Sequence, residues 1–206
     1  ASRLVKNADV ILAIGTRLGF NSTFYSYEYL NRKAKIIHVE LDKKMIGKYF
    51  PISVGINGDA TTVSNQILKE LKKHKIKIKL NEWTKNFLNE KNKHLRIRNK
   101  TKTKNFPIQP QGLFKELRKV LPKNSAITLD AGTLCLQATD ALEYYEPPSL
   151  FTPLDFGLVG FSFACGLGVK IAKPKKTVVS LMGDGGFGMT ISELSTAVEY
   201  GINTTT

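Results

Sequence analysis

Cysteine is nearly absent from this chain: Cys135 and Cys165 are the only two in 206 residues. They lie at no metal-ligand spacing and are too few for a disulfide framework, which excludes a disulfide-stapled scaffold and a zinc-ribbon site. Both read as small buried apolar residues. Histidine is almost as scarce. His38 lies inside an apolar run and His74 and His94 in a basic stretch, each with a carboxylate nearby (Glu40, Glu70, Glu90) and none with a cysteine or second histidine at ligand spacing. A histidine-based metal centre is therefore not expected, and all three read as structural or solvated side chains. No apolar run approaches the about 20 residues of a membrane-spanning helix. The N-terminus shows no charged region followed by an apolar one, so no secretory signal is read there. The expected compartment is the cytoplasm, with no membrane partner. The chain opens Ala1-Ser2-Arg3 and is immediately amphipathic, as expected of a piece of a larger protein.

Acidic residues are also few, 17 Asp and Glu against 31 Lys and Arg, for a net charge of +14. The excess is local. Residues 69–104 hold fourteen Lys and Arg and three Glu, while the rest is close to neutral. A basic patch of this kind can bind nucleic acid. Aromatic side chains are sparse within it (Trp83, Phe87) and no nucleic-acid module motif appears. The stretch reads as a solvated linker, with no nucleic-acid partner expected. A non-catalytic basic interaction module stays as the alternative, and it predicts binding with a steep salt dependence.

What the chain does have is 42% hydrophobic residues, enough for a packed core, arranged as strands separated by crossovers. Asp9 to Ile14, Lys35 to Leu41 and Val54 to Ile56 read as strands, and Ala60 to Lys73 as a helix with Val63, Ile67, Leu68 and Leu71 on one face. Asn81 to Leu95 has helical spacing within the basic stretch, and Lys100 to Asn105 is not expected to pack. Pro107 and Pro110 mark the entry to a new unit. There Gly112 to Leu121 reads as a helix, Ala126 to Asp130 as a strand, Gly157 to Ala172 as a helix rich in small residues, and Thr177 to Leu181 as a buried strand. Ile191 to Tyr200 reads as a helix opened by a capping box at Thr190–Glu193 and stopped by Gly201. A further strand is expected after Gly201. Crossover-linked strands mean parallel sheets. The fold class is α/β, with residues 1–73 as one unit, 74–108 as a basic linker and 109–206 as a second unit.

Ligands in open α/β sheets sit at the carboxyl ends of the strands. Two such ends in the second unit carry glycine, at Asp130-Ala131-Gly132-Thr133 and at Gly183-Asp184-Gly185-Gly186-Phe187. The segment Pro153-Leu154-Asp155-Phe156-Gly157-Leu158-Val159-Gly160 lies between them in sequence. Glycines bare backbone amides to a diphosphate, and Asp184 can hold a divalent cation bridging its oxygens. One glycine turn is weak evidence, whereas three in order, each in its structural context, point to one phosphorylated cofactor.

On these motifs the chain resembles the thiamine-diphosphate enzymes of the acetolactate synthase-like superfamily. Asp9-Val-Ile-Leu-Ala-Ile-Gly-Thr-Arg17, Ile36-Ile-His-Val-Glu-Leu-Asp42 and Gly58-Asp59 resemble the later part of the family's Rossmann-like middle domain. Phe156-Gly-Leu-Val-Gly-Phe161, Gly183-Asp-Gly-Gly-Phe-Gly-Met189 and Glu193-Leu194 resemble the first part of its thiamine-diphosphate-binding domain. The resemblance implies two parallel-sheet, three-layer α/β domains, both incomplete. It implies Mg²⁺ on Asp184, and thiamine diphosphate against Gly132, Thr133, Gly157, Val159, Gly183, Gly185, Gly186 and Phe187. Val159 falls where the family places a bulky apolar residue beneath the cofactor. The catalytic residue stays unassigned, because the family's activating glutamate lies in an earlier domain. Its second metal ligand, an asparagine, falls beyond Thr206, so the chain alone is expected to be inactive.

Some members hold FAD in the middle domain. Gly15-Thr16-Arg17 sits at the corresponding strand end, but Leu18-Gly-Phe-Asn-Ser-Thr-Phe-Tyr25 departs from the flavin-binding pattern, so FAD is kept only as the lesser alternative. Glu40 and Asp42 read as solvated or capping acids, and Phe20, Phe24, Tyr25, Tyr27 and Tyr29 as a packed aromatic loop. The leading function is a carboligase acting on a 2-oxo acid such as pyruvate. A sulfoacetaldehyde acetyltransferase-like activity is the near competitor, on Phe151-Thr-Pro-Leu-Asp-Phe-Gly157 and Gly188-Met189, and a 2-oxo acid decarboxylase comes third. The family's sites lie between subunits, so a homodimer or homotetramer is expected of the parent.

Overall fold

A computed structural model of the chain describes residues 2–75, 81–100, 106–153 and 155–206. Leu154 and the Thr101–Asn105 segment lie outside the described residues. The chain divides into two compact units, Ala1–Glu90 and Lys91–Thr206.

In the first unit the elements are α1 (Ser2–Lys6), β1 (Val10–Ile14), α2 (Phe20–Thr23), β2 (Lys35–Glu40), β3 (Val54–Asn57) and α3 (Ala60–Lys73), followed by α4 (Glu82–Lys100), which runs past the unit boundary. The strands form a parallel sheet in the order β1-β2-β3. Ala13 pairs with His38 and His38 with Gly55, so these residues share one face. That face packs Ala13 and Ile36 against Leu18, Leu30 and Phe50. On the opposite face Val39 is fully buried, but Val10, Leu12 and Val54 stay about half exposed (52%, 49% and 47%). Parallel sheets are normally covered on both sides, so this is an α/β layer whose second covering is incomplete.

Helix α3 starts where the polar spacing predicts. Asp59 Oδ1 accepts from the Thr62 amide at 2.8 Å and from its hydroxyl at 3.0 Å. The Thr62 amide, more than its hydroxyl, holds the Asp59 carboxyl below its usual 3.8. Glu40 accepts from the Leu41 and Asp42 amides, and Asp42 from the Lys44 amide. Both acids are therefore local caps. His38 is buried, its Nε2 2.8 Å from the Thr16 carbonyl and its Nδ1 accepting from the Gly47 amide at 3.3 Å. One ring nitrogen accepts and the other donates, which pins two loops together. The aromatic loop packs ring on ring, with Phe20–Phe24 at 4.8 Å and Tyr25–Tyr49 at 4.6 Å, yet Phe20, Phe24 and Tyr25 remain half exposed.

The second unit holds α5 (Pro110–Val120), β4 (Ala126–Leu129), α6 (Thr133–Ala141), β5 (Leu150–Phe151), α7 (Phe161–Ala172), β6 (Val178–Leu181), α8 (Asp184–Thr190) and α9 (Glu193–Glu199). Its sheet is parallel, in the order β5-β4-β6. Thr205 bridges Val179 in parallel, so the chain after Gly201 does return to the sheet edge. All four residues of β4 are buried. Ile127 and Leu129 face Phe114 of α5 and Cys135 and Ala138 of α6. Ala126 on the other face meets Val169 of α7 and Val178. Helices thus cover both faces of the sheet.

Three features differ from the sequence pattern. The capping box at Thr190–Glu193 does not form. Thr190, the capping position of that motif, is the last residue of α8, and Ser192, which directly precedes α9, has helical backbone and no side-chain capping bond. An N-cap needs non-helical backbone, so neither Thr190 nor Ser192 can cap, and Glu193 accepts from the Thr196 hydroxyl instead. Helix α7 begins at Phe161 rather than Gly157, because Gly157 and Gly160 have φ of +69° and +89°, outside the right-handed helical region. Helix α6 and strand β5 carry no sequence signal strong enough to announce them.

Burial raises the pKa of both thiols. For Cys135 desolvation is the largest cause, with the Asp130 charge adding to it and a backbone hydrogen bond at Asp130 working the other way; for Cys165 the cause is burial alone. Thiolate is the reactive form, so iodoacetamide at neutral pH should leave both cysteines of the folded protein unmodified and label both in guanidinium. Rapid labelling of native Cys135 would contradict its place in the core.

Candidate functional site

Because β4, β5 and β6 are parallel, their carboxyl ends lie on one edge, and the residues singled out in the sequence follow those ends. β4 is followed by Asp130 and then Gly132, the N-cap of α6, with φ +126° and ψ 176°. No L-residue adopts that conformation comfortably. Thr133, the first residue of α6, is exposed. β6 leads through Met182 to Gly183, and Asp184 is the first residue of α8. The Gly-Asp-Gly-Gly motif is therefore the first turn of a helix rather than a free loop.

Asp184 is exposed and its Oδ1 accepts from the Gly185 amide at 2.8 Å. Among the described residues, no three His, Cys, Asp or Glu side chains gather around a metal-sized position. A cation here would be held by one carboxylate, with phosphate and water completing its shell, which suits Mg²⁺ better than Zn²⁺.

The glycines differ in what they face. A Cβ on Gly132, Gly157, Gly183 or Gly185 would meet nothing within 4 Å. Their backbones face open space. Gly186 is buried and faces inward, where a Cβ would lie 2.8 Å from Asp130 Oδ2. Phe187 also turns inward, its ring edge-on to Phe163 at 5.5 Å. Val159 is 42% exposed, beside Leu158 at 47% and Phe156 at 85%, so an apolar ledge stands on this edge.

The sequence reading passed over Asp130. It is fully buried, and its carboxylate accepts from the Ala131 amide at 2.7 Å, from the Gly160 amide at 2.9 and 3.0 Å and from the Ser162 amide at 3.3 Å. At Gly160 a Cβ would come within 3.1 Å of Met189 Cβ and 3.8 Å of the Gly186 carbonyl. The end of β4, the turn before α7 and the first turns of α8 are thereby brought together. The available signal was an acid placed directly after the short β-branched strand Ala-Ile-Thr-Leu.

The central domain of the thiamine pyrophosphate enzymes matches residues 1–71. Their C-terminal, thiamine pyrophosphate-binding domain matches residues 130–206. Among curated relatives, the sulfoacetaldehyde acetyltransferase of Castellaniella defragrans is 31% identical over all of this chain and 38% of its own length. A probable acetolactate synthase large subunit of Methanocaldococcus jannaschii is 34% identical over 98% of the chain and 34% of its own length. The acetolactate synthase large subunit of Buchnera aphidicola from Acyrthosiphon pisum is 33% identical over 98% of the chain and 35% of its length. The chain spans a little over a third of the length of the curated relatives it matches.

Proposed function

The chain belongs to the thiamine pyrophosphate enzymes, and we propose that it is part of a Mg²⁺-dependent carboligase of the acetolactate synthase type, acting on a 2-oxo acid such as pyruvate. The observation that carries this reading is the edge where Asp184, the first residue of α8, lies beside glycine backbone that faces open space at Gly183 and Gly185. Asp184 would hold the Mg²⁺ that clamps the diphosphate. Gly183, Gly185, Gly132 and Thr133 would contact its oxygens, and Val159, following Gly157, would supply the apolar support beneath the ring. Thiamine diphosphate contributes the electron sink through which a 2-oxo acid loses CO₂ and its acyl carbons pass to an acceptor. The protein contributes orientation and exclusion of water. Gly186 and Phe187 face the interior and would act by shaping the turn that presents Asp184.

In this reading residues 1–73 belong to the central domain, 74–108 link the two domains, and 109–206 belong to the cofactor domain. The parent is a homodimer or homotetramer in the cytoplasm. No flavin is required at Gly15–Arg17. Among the described residues no helix is long and apolar enough to cross a membrane. A second reading, conversion of sulfoacetaldehyde and phosphate to acetyl phosphate with the C–S bond broken and sulfite released, is favoured by the relative of that name that aligns over the whole chain.

Calorimetric titration of the full-length protein with thiamine diphosphate tests the cofactor. Stoichiometric binding that disappears in EDTA is expected, and absence of binding in Mg²⁺ would overturn the reading. Product analysis with pyruvate alone, against sulfoacetaldehyde plus phosphate, then separates the two activities.

A further inference from the structure

We infer that Asp130 is a positioning residue that holds the Val159–Gly160 turn and the Asp184 helix in fixed register before any ligand arrives. A buried carboxylate is costly unless its oxygens are satisfied. Among the described residues no cation pairs with Asp130; its partners are backbone amides. Both of its oxygens reach the Gly160 amide, at 2.9 and 3.0 Å, and the Ser162 and Ala131 amides complete the set. Hydrogen bonds to an ionised acceptor are roughly twice as strong as neutral ones, and the negative charge also complements the N-terminus of α7. Gly160 has φ +89° and is buried, a turn whose amide is aimed at the carboxylate.

The opposite side of the same carboxylate touches α8. A Cβ at Gly186 would lie 2.8 Å from Oδ2 and 3.1 Å from Cγ. Asp130 cannot swing away without releasing the amides it holds. Glycine at 186 is therefore demanded by Asp130 rather than by an approaching ligand. Val159 immediately precedes Gly160, and Asp184 is in the same helical turn as Gly186. Asp130 thus links the apolar ledge to the carboxylate of the motif, so both are placed without ligand binding having to order them.

The effect on affinity rests on the proposed cofactor, whereas the effect on backbone order does not, so the test reads both in the full-length protein. Asp130→Asn keeps the shape but replaces one acceptor oxygen with a donor. Hydrogen exchange of the cofactor-free protein is expected to accelerate over residues 158–163 and 184–188, with α5 and α6 unchanged. Thiamine diphosphate affinity in Mg²⁺, measured at a temperature where circular dichroism shows the variant folded, is expected to fall about 10–100-fold, as when a supporting partner of a metal site is lost. Unchanged exchange over both segments, or wild-type affinity in the folded variant, would overturn the proposal. Should Asp130→Asn fail to fold, Gly186→Ala presses a methyl onto the same carboxylate; it should give the same segment-specific exchange, and its absence would equally overturn the proposal. If the wild-type protein binds no thiamine diphosphate, the proposed function falls and the exchange result alone decides the role of Asp130.

Discussion

Replacing Asp184 with alanine is expected to remove Mg²⁺-dependent retention of thiamine diphosphate from the full-length protein while leaving its melting temperature nearly unchanged. The carboxylate is exposed and its one hydrogen bond is to the adjacent Gly185 amide, so folding depends little on it. No cluster of metal-ligating side chains among the described residues stands in reserve. A Mg²⁺ held through one or two carboxylates, with phosphate and water as its other ligands, loses its principal protein charge when that carboxylate goes. Loss of a supporting partner in a metal site costs about 10–100-fold, and a directly bound carboxylate should cost more. Affinity in Asp184→Ala should approach that of the wild type in EDTA. Asp184→Asn, which keeps one oxygen but not the charge, should lie between and recover partly at high Mg²⁺. An Asp184→Ala protein that binds as the wild type does would remove Asp184 from the metal site.

Much of this edge was legible in the residues because its signals are local. The run Thr177 to Leu181 is mostly apolar and leads through Met182 into Gly-Asp-Gly-Gly, and the chain does form a buried strand and then a helix there. The first unit's strands were readable for the same reason, and α3 was bounded correctly because Asp59 is a side-chain cap with an apolar stripe behind it. What could not be read depends on tertiary partners. Thr190 has the composition of a cap, but it closes α8 and so lies in helical backbone. β5 is two residues long and exists only because Leu150 and Phe151 pair with Ile127 and Thr128. Asp130 stands in the sequence only as the end of a strand that meets Ala131-Gly132-Thr133. Its role follows from the Gly160 and Ser162 amides, some thirty residues away in sequence, and no periodicity encodes that meeting. The glycines were legible as a group but not in kind. Only space separates Gly183 and Gly185, which face outward, from Gly186, which faces Asp130.

The same distinction between glycines predicts the largest loss of stability. On α7, a Cβ at Gly166 would overlap Ser180 Oγ and lie 3.4 Å from Thr128 Oγ1. These hydroxyls belong to a buried network. Thr128 Oγ1 meets Ser180 Oγ at 2.9 Å and the Ser162 carbonyl at 2.9 Å, and Ser162 Oγ donates to the Thr128 carbonyl at 2.8 Å. Gly166→Ala must lift the helix or displace Ser180, and either leaves buried hydroxyls without partners. Overpacking costs about 1–3 kcal/mol and an unsatisfied buried polar group about 1–3 kcal/mol. Alanine's better helix propensity returns only about 1 kcal/mol. A net loss of about 3 kcal/mol is expected in urea unfolding. Gly168→Ala on the same helix meets nothing within 4 Å and should be neutral or stabilising. Ser180→Ala should recover part of the Gly166→Ala loss, since it removes the overlapped oxygen. Equal effects at 166 and 168 would refute the packing account. Because α7 contains Ser162 and is preceded directly by Gly160, whose amides hold Asp130, a helix lifted at Gly166 disturbs the carboxyl edge from behind. The closeness of α7 to the sheet is therefore a condition for the site as well as for the core.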